Sequence, residues 1–191
     1  MKGLLKDTIA ISRELARPQG IWRLEKLDGC NLLFSKQVTR LLRGCVEVVI
    51  FAVTAGPDIE AEVSRLMEDG KMAEAVMLDS IGGEVAEGCA NYLNKLVQKD
   101  AHRRALHMTP RFSPGYGDWP LERQRELFDA LDPSRIGIKL NQSFVMIPRK
   151  SISAILGLGP IEAIRTGASP CKGCKTKTSL GCRGDRPVAP T

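Results

Sequence analysis

The chain has 191 residues, 43% of them hydrophobic, enough to bury one substantial core, which excludes a chain disordered throughout. Its formal net charge of +6 is concentrated in residues 165–191, where six Lys/Arg face a single Asp, so the body is nearly neutral and carries no basic, aromatic-studded track for nucleic acid. No run approaches the roughly 18–20 apolar residues of a membrane span, and Asp7 interrupts what would be the apolar region of a secretory leader, so a cytoplasmic protein with reduced thiols is expected.

In chain order, Leu4, Leu5, Ile9, Ser12 and Leu15 predict a first helix over about residues 3–17, ended by Pro18 and Gly20. Ser35 caps a short helix running to Arg43, and Cys45–Thr54, β-branched and mostly apolar, reads as a buried central strand. A helix opens at Pro57 or Asp58 and closes near Gly70. Apolar residues at three- and four-residue steps then predict one long helix, or two nearly continuous ones, over Lys71–Asp100; Gly82-Gly83 requires either a close approach by another element or a break. A helix over Leu121–Leu131 and three extended segments, Ile136–Leu140, Ser143–Ile147 and Ser151–Leu156, complete the reading, with turn chemistry at Asn141-Gln142 and Pro148-Arg149-Lys150 that suits antiparallel hairpins. The expected fold class is α+β, an antiparallel twisted sheet with flanking helices, in a domain of residues 1–159 followed by a basic, cysteine-containing tail, 160–191.

Familiar catalytic signatures are absent: there is no phosphate-cradling loop, no dinucleotide fingerprint and no nucleophile elbow. Asp100-Ala101-His102 begins like a corrinoid-ligating D-x-H-x-x-G motif, but Ala105 stands where the glycine belongs, which favours a solvated helix-end histidine. The richest segment is Arg111-Phe112-Ser113-Pro114-Gly115-Tyr116-Gly117-Asp118-Trp119-Pro120. Two prolines and two glycines forbid a regular element. Arg111 offers a planar fork of donors for a carboxylate or phosphate, and Tyr116 a flat face ending in a hydroxyl, so the segment reads either as a ligand loop or as a rigid surface loop.

Together with Pro120-Leu-Glu-Arg-Gln124, Ile136-Gly137 and Pro148-Arg-Lys150-Ser151-Ile-Ser153, this loop resembles the reactivation domain of cobalamin-dependent methionine synthase, over roughly residues 45–158 and in the form of its short, free-standing members. The resemblance implies an R-x-x-x-G-Y loop that binds S-adenosylmethionine. It places Arg111 on the methionine carboxylate, Ser113 where main-chain groups meet the adenine, Gly115 where the backbone must be approached closely, Tyr116 at the border with the corrinoid, and Glu87 as a ligand-facing helical acid. It also aligns Ile155-Leu156-Gly157 with a stretch of main-chain contacts. The implied role is accessory: reductive methylation of cob(II)alamin on a separate cobalamin-carrying methionine synthase or other corrinoid protein, with an electron donor such as flavodoxin or ferredoxin. The chain lacks the long form's additional ligand acid, leaving Asp58 or Glu84 for the amino group of the ligand.

The tail carries Cys171-x-x-Cys174 and Cys182, a half-site for zinc or an iron–sulfur cluster without a fourth cysteine. Idle thiols or a thiol–disulfide pair fit the same residues. The rival function is a metal or iron–sulfur redox accessory of a corrinoid system that does not bind S-adenosylmethionine.

Overall fold

A computed structural model describes residues 2–32 and 34–166 of the chain, so Cys171, Cys174 and Cys182 lie outside the described residues. Its centre is the strand β2 (Glu47–Thr54), whose Val48–Ala52 are fully buried. β2 pairs antiparallel on one side with β1 (Gln19–Lys26) and on the other with β6 (Ser151–Gly159); β3 (His107–Met108) joins the far edge of β6, giving the order β1-β2-β6-β3. Because side chains alternate across a strand, β2 feeds two cores at once. Val48, Ile50 and Ala52 pack with Val38 and Leu41 of helix α2 (Lys36–Leu41), Leu127 and Leu131 of α5 (Gln124–Leu131), and Trp119. Val49, Phe51 and Val53 pack with Ala90, Leu93 and Val97 of α4 (Met72–Arg103). Each of these fully buried aliphatic side chains contributes about 1.5–3 kcal/mol relative to exposure. A third cluster joins Leu15 of α1 (Lys2–Leu15) to α3 (Asp58–Glu68) and the first turns of α4.

The long helix is unbroken, and its paired glycines have separate explanations. A Cβ on Gly82 would meet Ile59 Cγ2 at 2.8 Å and the stem of Lys150 at 3.3 Å, so α3 and the start of β6 both approach the helix there. Lys150 is then held across the helix by Asp79, Nζ to carboxylate 2.7 Å. Gly83 faces open space.

Two departures from the sequence reading concern strands. β1 was not signalled, because most of its residues are exposed on both faces and only Ile21, Trp22 and Leu24 are large and apolar. The last three extended segments do not form one meander. β4 (Lys139–Leu140) and β5 (Met146–Ile147) make a small separate hairpin, whose turn is held by the Asn141 carboxamide accepting from the N–H groups of Ser143 at 2.9 Å and Val145 at 3.0 Å. β6 leaves that hairpin through Pro148 and inserts beside β2 instead, since its continuous apolar face must be covered on both sides. A short helix, α6 (Ile161–Thr166), follows. Among the described residues no helix is long and apolar enough to cross a membrane.

Candidate functional site

Residues 107–112 run antiparallel along the outer edge of β6. Gly157 accepts from the Thr109 N–H at 2.9 Å and donates its own N–H to the Thr109 hydroxyl at 2.9 Å, while Phe112 and Ile155 exchange both main-chain bonds at 2.8 and 2.9 Å. Alternation along this extended segment then separates its two key side chains. Phe112 turns into the α2/α5 core beside Trp119, and Arg111 turns to the opposite face, over α4.

On that face Arg111 donates through Nη1 to the Asn91 carboxamide at 2.9 Å and through Nη2 to the Glu87 carboxylate, in an ion pair whose side chains are 22% and 40% exposed. Glu87 and Asn91 are one helical turn apart, so α4 offers an acceptor pair matched to one guanidinium. Two of the five donors of Arg111 are thereby used. A ligand carboxylate must displace Glu87 from the fork or take the remaining N–H groups. Glu84 lies one turn before Glu87 and Gly88 on α4, whereas Asp58 opens α3, so of the two acids proposed for a ligand amino group only Glu84 shares the helix of Glu87.

The loop beyond Arg111 is fixed largely by its own bonds. Gly115 donates to the Trp119 carbonyl at 2.8 Å, Tyr116 to the Ser113 carbonyl at 3.3 Å, and Trp119 to the Tyr116 carbonyl at 3.0 Å. Gly115 has φ +88°, a conformation that calls for glycine without reference to a ligand, and a Cβ there would also press on Leu121 at 3.2 Å. Gly117 is favoured by its left-handed φ of +58°, and a Cβ there would displace the end of the Gln37 side chain, whose Oε1 would lie 1.8 Å away. Asp118 accepts from the Gln37 N–H at 3.2–3.3 Å in the first turn of α2, and the Gln37 carboxamide oxygen accepts in turn from the Asp118 N–H at 3.3 Å. Trp119, only 1% exposed, stacks on Phe112 and meets Phe34 edge-on. Tyr116, by contrast, stands 67% exposed at the tip.

The sequence-predicted residues thus fall into two groups. Arg111 and Glu87 are brought together; Ser113, Gly115 and Tyr116 follow on the adjoining loop. The main-chain groups of Ile155 and Gly157 that face this edge are already taken by Phe112 and Thr109, so they serve to seat the loop. Sequence reasoning missed Asn91, although its position four residues after Glu87 was available as a signal, and it missed Gln37 and Asp118 as the clamp on the loop. His102 sits in the last turn of α4 with its ring 5.4 Å from that of His107, edge-on, as a helix-end histidine. Among the described residues no group of His, Cys, Asp and Glu is arranged to hold a metal ion. The described thiols are inert in character: burial raises the pKa of Cys30 and Cys89 and pushes Cys45 up to about 11.

Comparison with known proteins bears on this arrangement. Residues 38–162 match the family described as vitamin B12 dependent methionine synthase, activation domain. The fold is also similar to a crystal structure of the MetH reactivation domain bound to AdoHcy, with a TM-score of 0.64 at 19% identity over 84% of this chain and 66% of that one. The chain therefore spans just under two thirds of the length of that structure.

Proposed function

Since the chain belongs to the activation-domain family of vitamin B12-dependent methionine synthases, we propose that it binds S-adenosylmethionine over α4 at the Arg111 loop and supports reductive methylation of cob(II)alamin held by a separate corrinoid protein. The observation that carries this reading is the placement of Arg111 and Glu87, a cation and an anion side by side on an open face at the foot of a rigid, tyrosine-tipped loop. A zwitterionic sulfonium nucleoside presents the complementary pair: a carboxylate for the guanidinium, and a positive sulfur and ammonium for the carboxylates of Glu87 and Glu84. The cofactor fits these residues by charge, and its sulfonium supplies an activated methyl group that needs no acid or base from the protein. The chain's own contribution is positioning. Arg111 fixes one end of the ligand, Glu87 neutralises the other, and the loop holds Tyr116 outward at the border with the corrinoid carrier. Cobalamin itself arrives on the partner, because the D-x-H-x-x-G pattern is incomplete in this chain.

Calorimetric titration with S-adenosylmethionine tests the proposal. Saturable binding is expected, with Arg111→Ala weakening it by roughly 10- to 100-fold, the value of a charged hydrogen-bonded contact, while the circular dichroism spectrum is unchanged. Absence of binding by the unaltered chain overturns it and favours the redox-accessory reading, for which Cys171, Cys174 and Cys182 are the support. Metal and sulfide analysis after anaerobic purification distinguishes zinc, an iron–sulfur cluster and bare thiols in that tail.

A further inference from the structure

The sheet ends on its other side in β1, beside which no further strand lies among the described residues. The ladder fixes which main-chain groups of β1 face outward: Leu27 donates to Val46, and the pairing of Glu25 with Val48 and Arg23 with Ile50 continues the same register, so odd-numbered residues bond to β2. The N–H and C=O groups of Gly20, Trp22, Leu24 and Lys26 therefore point away from the sheet, and no backbone bond reaches them among the described residues. On the α4 side of the same strand Trp22 is 53% and Leu24 36% exposed, two large apolar side chains that the helix leaves uncovered.

The geometry points to β1 as a self-pairing edge: a second copy of the chain adds its own β1 antiparallel, with Leu24 opposite Leu24 and Arg23 of each copy opposite Glu25 of the other. Only registers that bring even-numbered residues together can form the bonds, and charge selects among them. Placing Arg23 opposite Arg23 sets like charges face to face, and centring the pair on Trp22 sets Arg23 against Ile21 and Glu25 against Gln19. Centring it on Leu24 puts Arg23 and Glu25 in the closer, non-hydrogen-bonded positions, where opposite charges favour pairing. Arg23 and Glu25 already form an ion pair within the strand at 2.8 Å, so the dimer would link two such pairs into one network. Trp22 then lies across the stem and ammonium of Lys26 of the other copy. The arrangement is isologous, as a two-fold contact must be, and it satisfies an edge that otherwise invites unspecific strand addition. It leaves the Arg111 loops at the two outer ends of the continuous sheet, each open to a large partner.

Sedimentation velocity of the full chain across a concentration series reads this out, with a monomer–dimer equilibrium expected. Leu24→Pro removes an outward N–H and no bond to β2, so it should leave the unfolding curve nearly unchanged and weaken dimerisation by about tenfold or more. Arg23→Glu and Glu25→Arg should each weaken it, and the double exchange should restore it, although both variants that alter Arg23 lose its bond to the Ala130 carbonyl. A chain that stays monomeric at every concentration, or a dimer indifferent to Leu24→Pro, or a double exchange as weak as the single variants, overturns the assignment.

Discussion

The two edges of the sheet are treated in opposite ways. At β6 the outward main-chain groups of Ile155 and Gly157 are bonded by Phe112 and Thr109, and the chain then folds back into a loop anchored by Trp119. At β1 the equivalent groups have no backbone partner among the described residues, and Trp22 nearby is about half exposed. An occupied edge can hold a side chain in place, because each ladder bond sets which residue points to which face; an unoccupied one can only recruit a new strand. That is why the candidate binding residues are at one end of the sheet and the candidate assembly surface at the other.

The sharpest way to break the contrast is to truncate its two tryptophans. Trp119→Ala should cost about 3–5 kcal/mol in denaturant unfolding, as deletion of a fully buried aromatic does, whereas Trp22→Ala should cost well under about 1 kcal/mol when measured on the monomer. Equal losses would mean that the two edges are not different in kind. Next comes the packing behind β6, where Cys45 lies against Gly157 at 2.6 Å from the position of an added Cβ. Burial raises this thiol from its ordinary 9.0 to about 11, so the folded state holds the proton more tightly. The associated stability is complete below about pH 9 and is lost as pH rises toward 11, by roughly 2–3 kcal/mol, and Cys45→Ala should flatten that part of the unfolding-versus-pH curve.

Glu87→Gln probes the occupied edge as a site. If the acid holds the positive end of the ligand, affinity for S-adenosylmethionine falls about tenfold, close to 1.4 kcal/mol; tighter binding would instead identify Glu87 as a competitor for Arg111. The smallest effect is expected at Asp118→Ala, which removes the carboxylate from the first turn of α2. About 0.5–1 kcal/mol of stability should be lost, together with faster proteolytic cleavage in residues 113–118 than in the unaltered chain.

How much of this was legible in the sequence depended on how strongly burial marks each element. The continuous apolar run of β2, the periodicity of α4 and the cap at Ser35 were all readable, since buried faces and caps restrict residue choice. β1 was not, because an edge strand exposed on both faces has no pattern to enforce, and β6 was misassigned to a hairpin because its partner lies about a hundred residues earlier, beyond any local signal. Within the site, Arg111 and Glu87 could be named from family resemblance, but their mutual ion pair could not. Gly115 and Gly117 looked like openings for a ligand, yet the loop requires both for its own geometry.

Glu87 and Asn91 sit near the middle of α4, which at 32 residues is about 48 Å long, far from either fraying end and backed by Ala90 and Leu93 in the core. Amide exchange on this stretch should therefore be among the slowest in the molecule, so that half of the site behaves as a fixed anvil. On the loop opposite, whose backbone is held by its own bonds, the exposed Tyr116 side chain at the tip is the part left to adjust to whatever docks there.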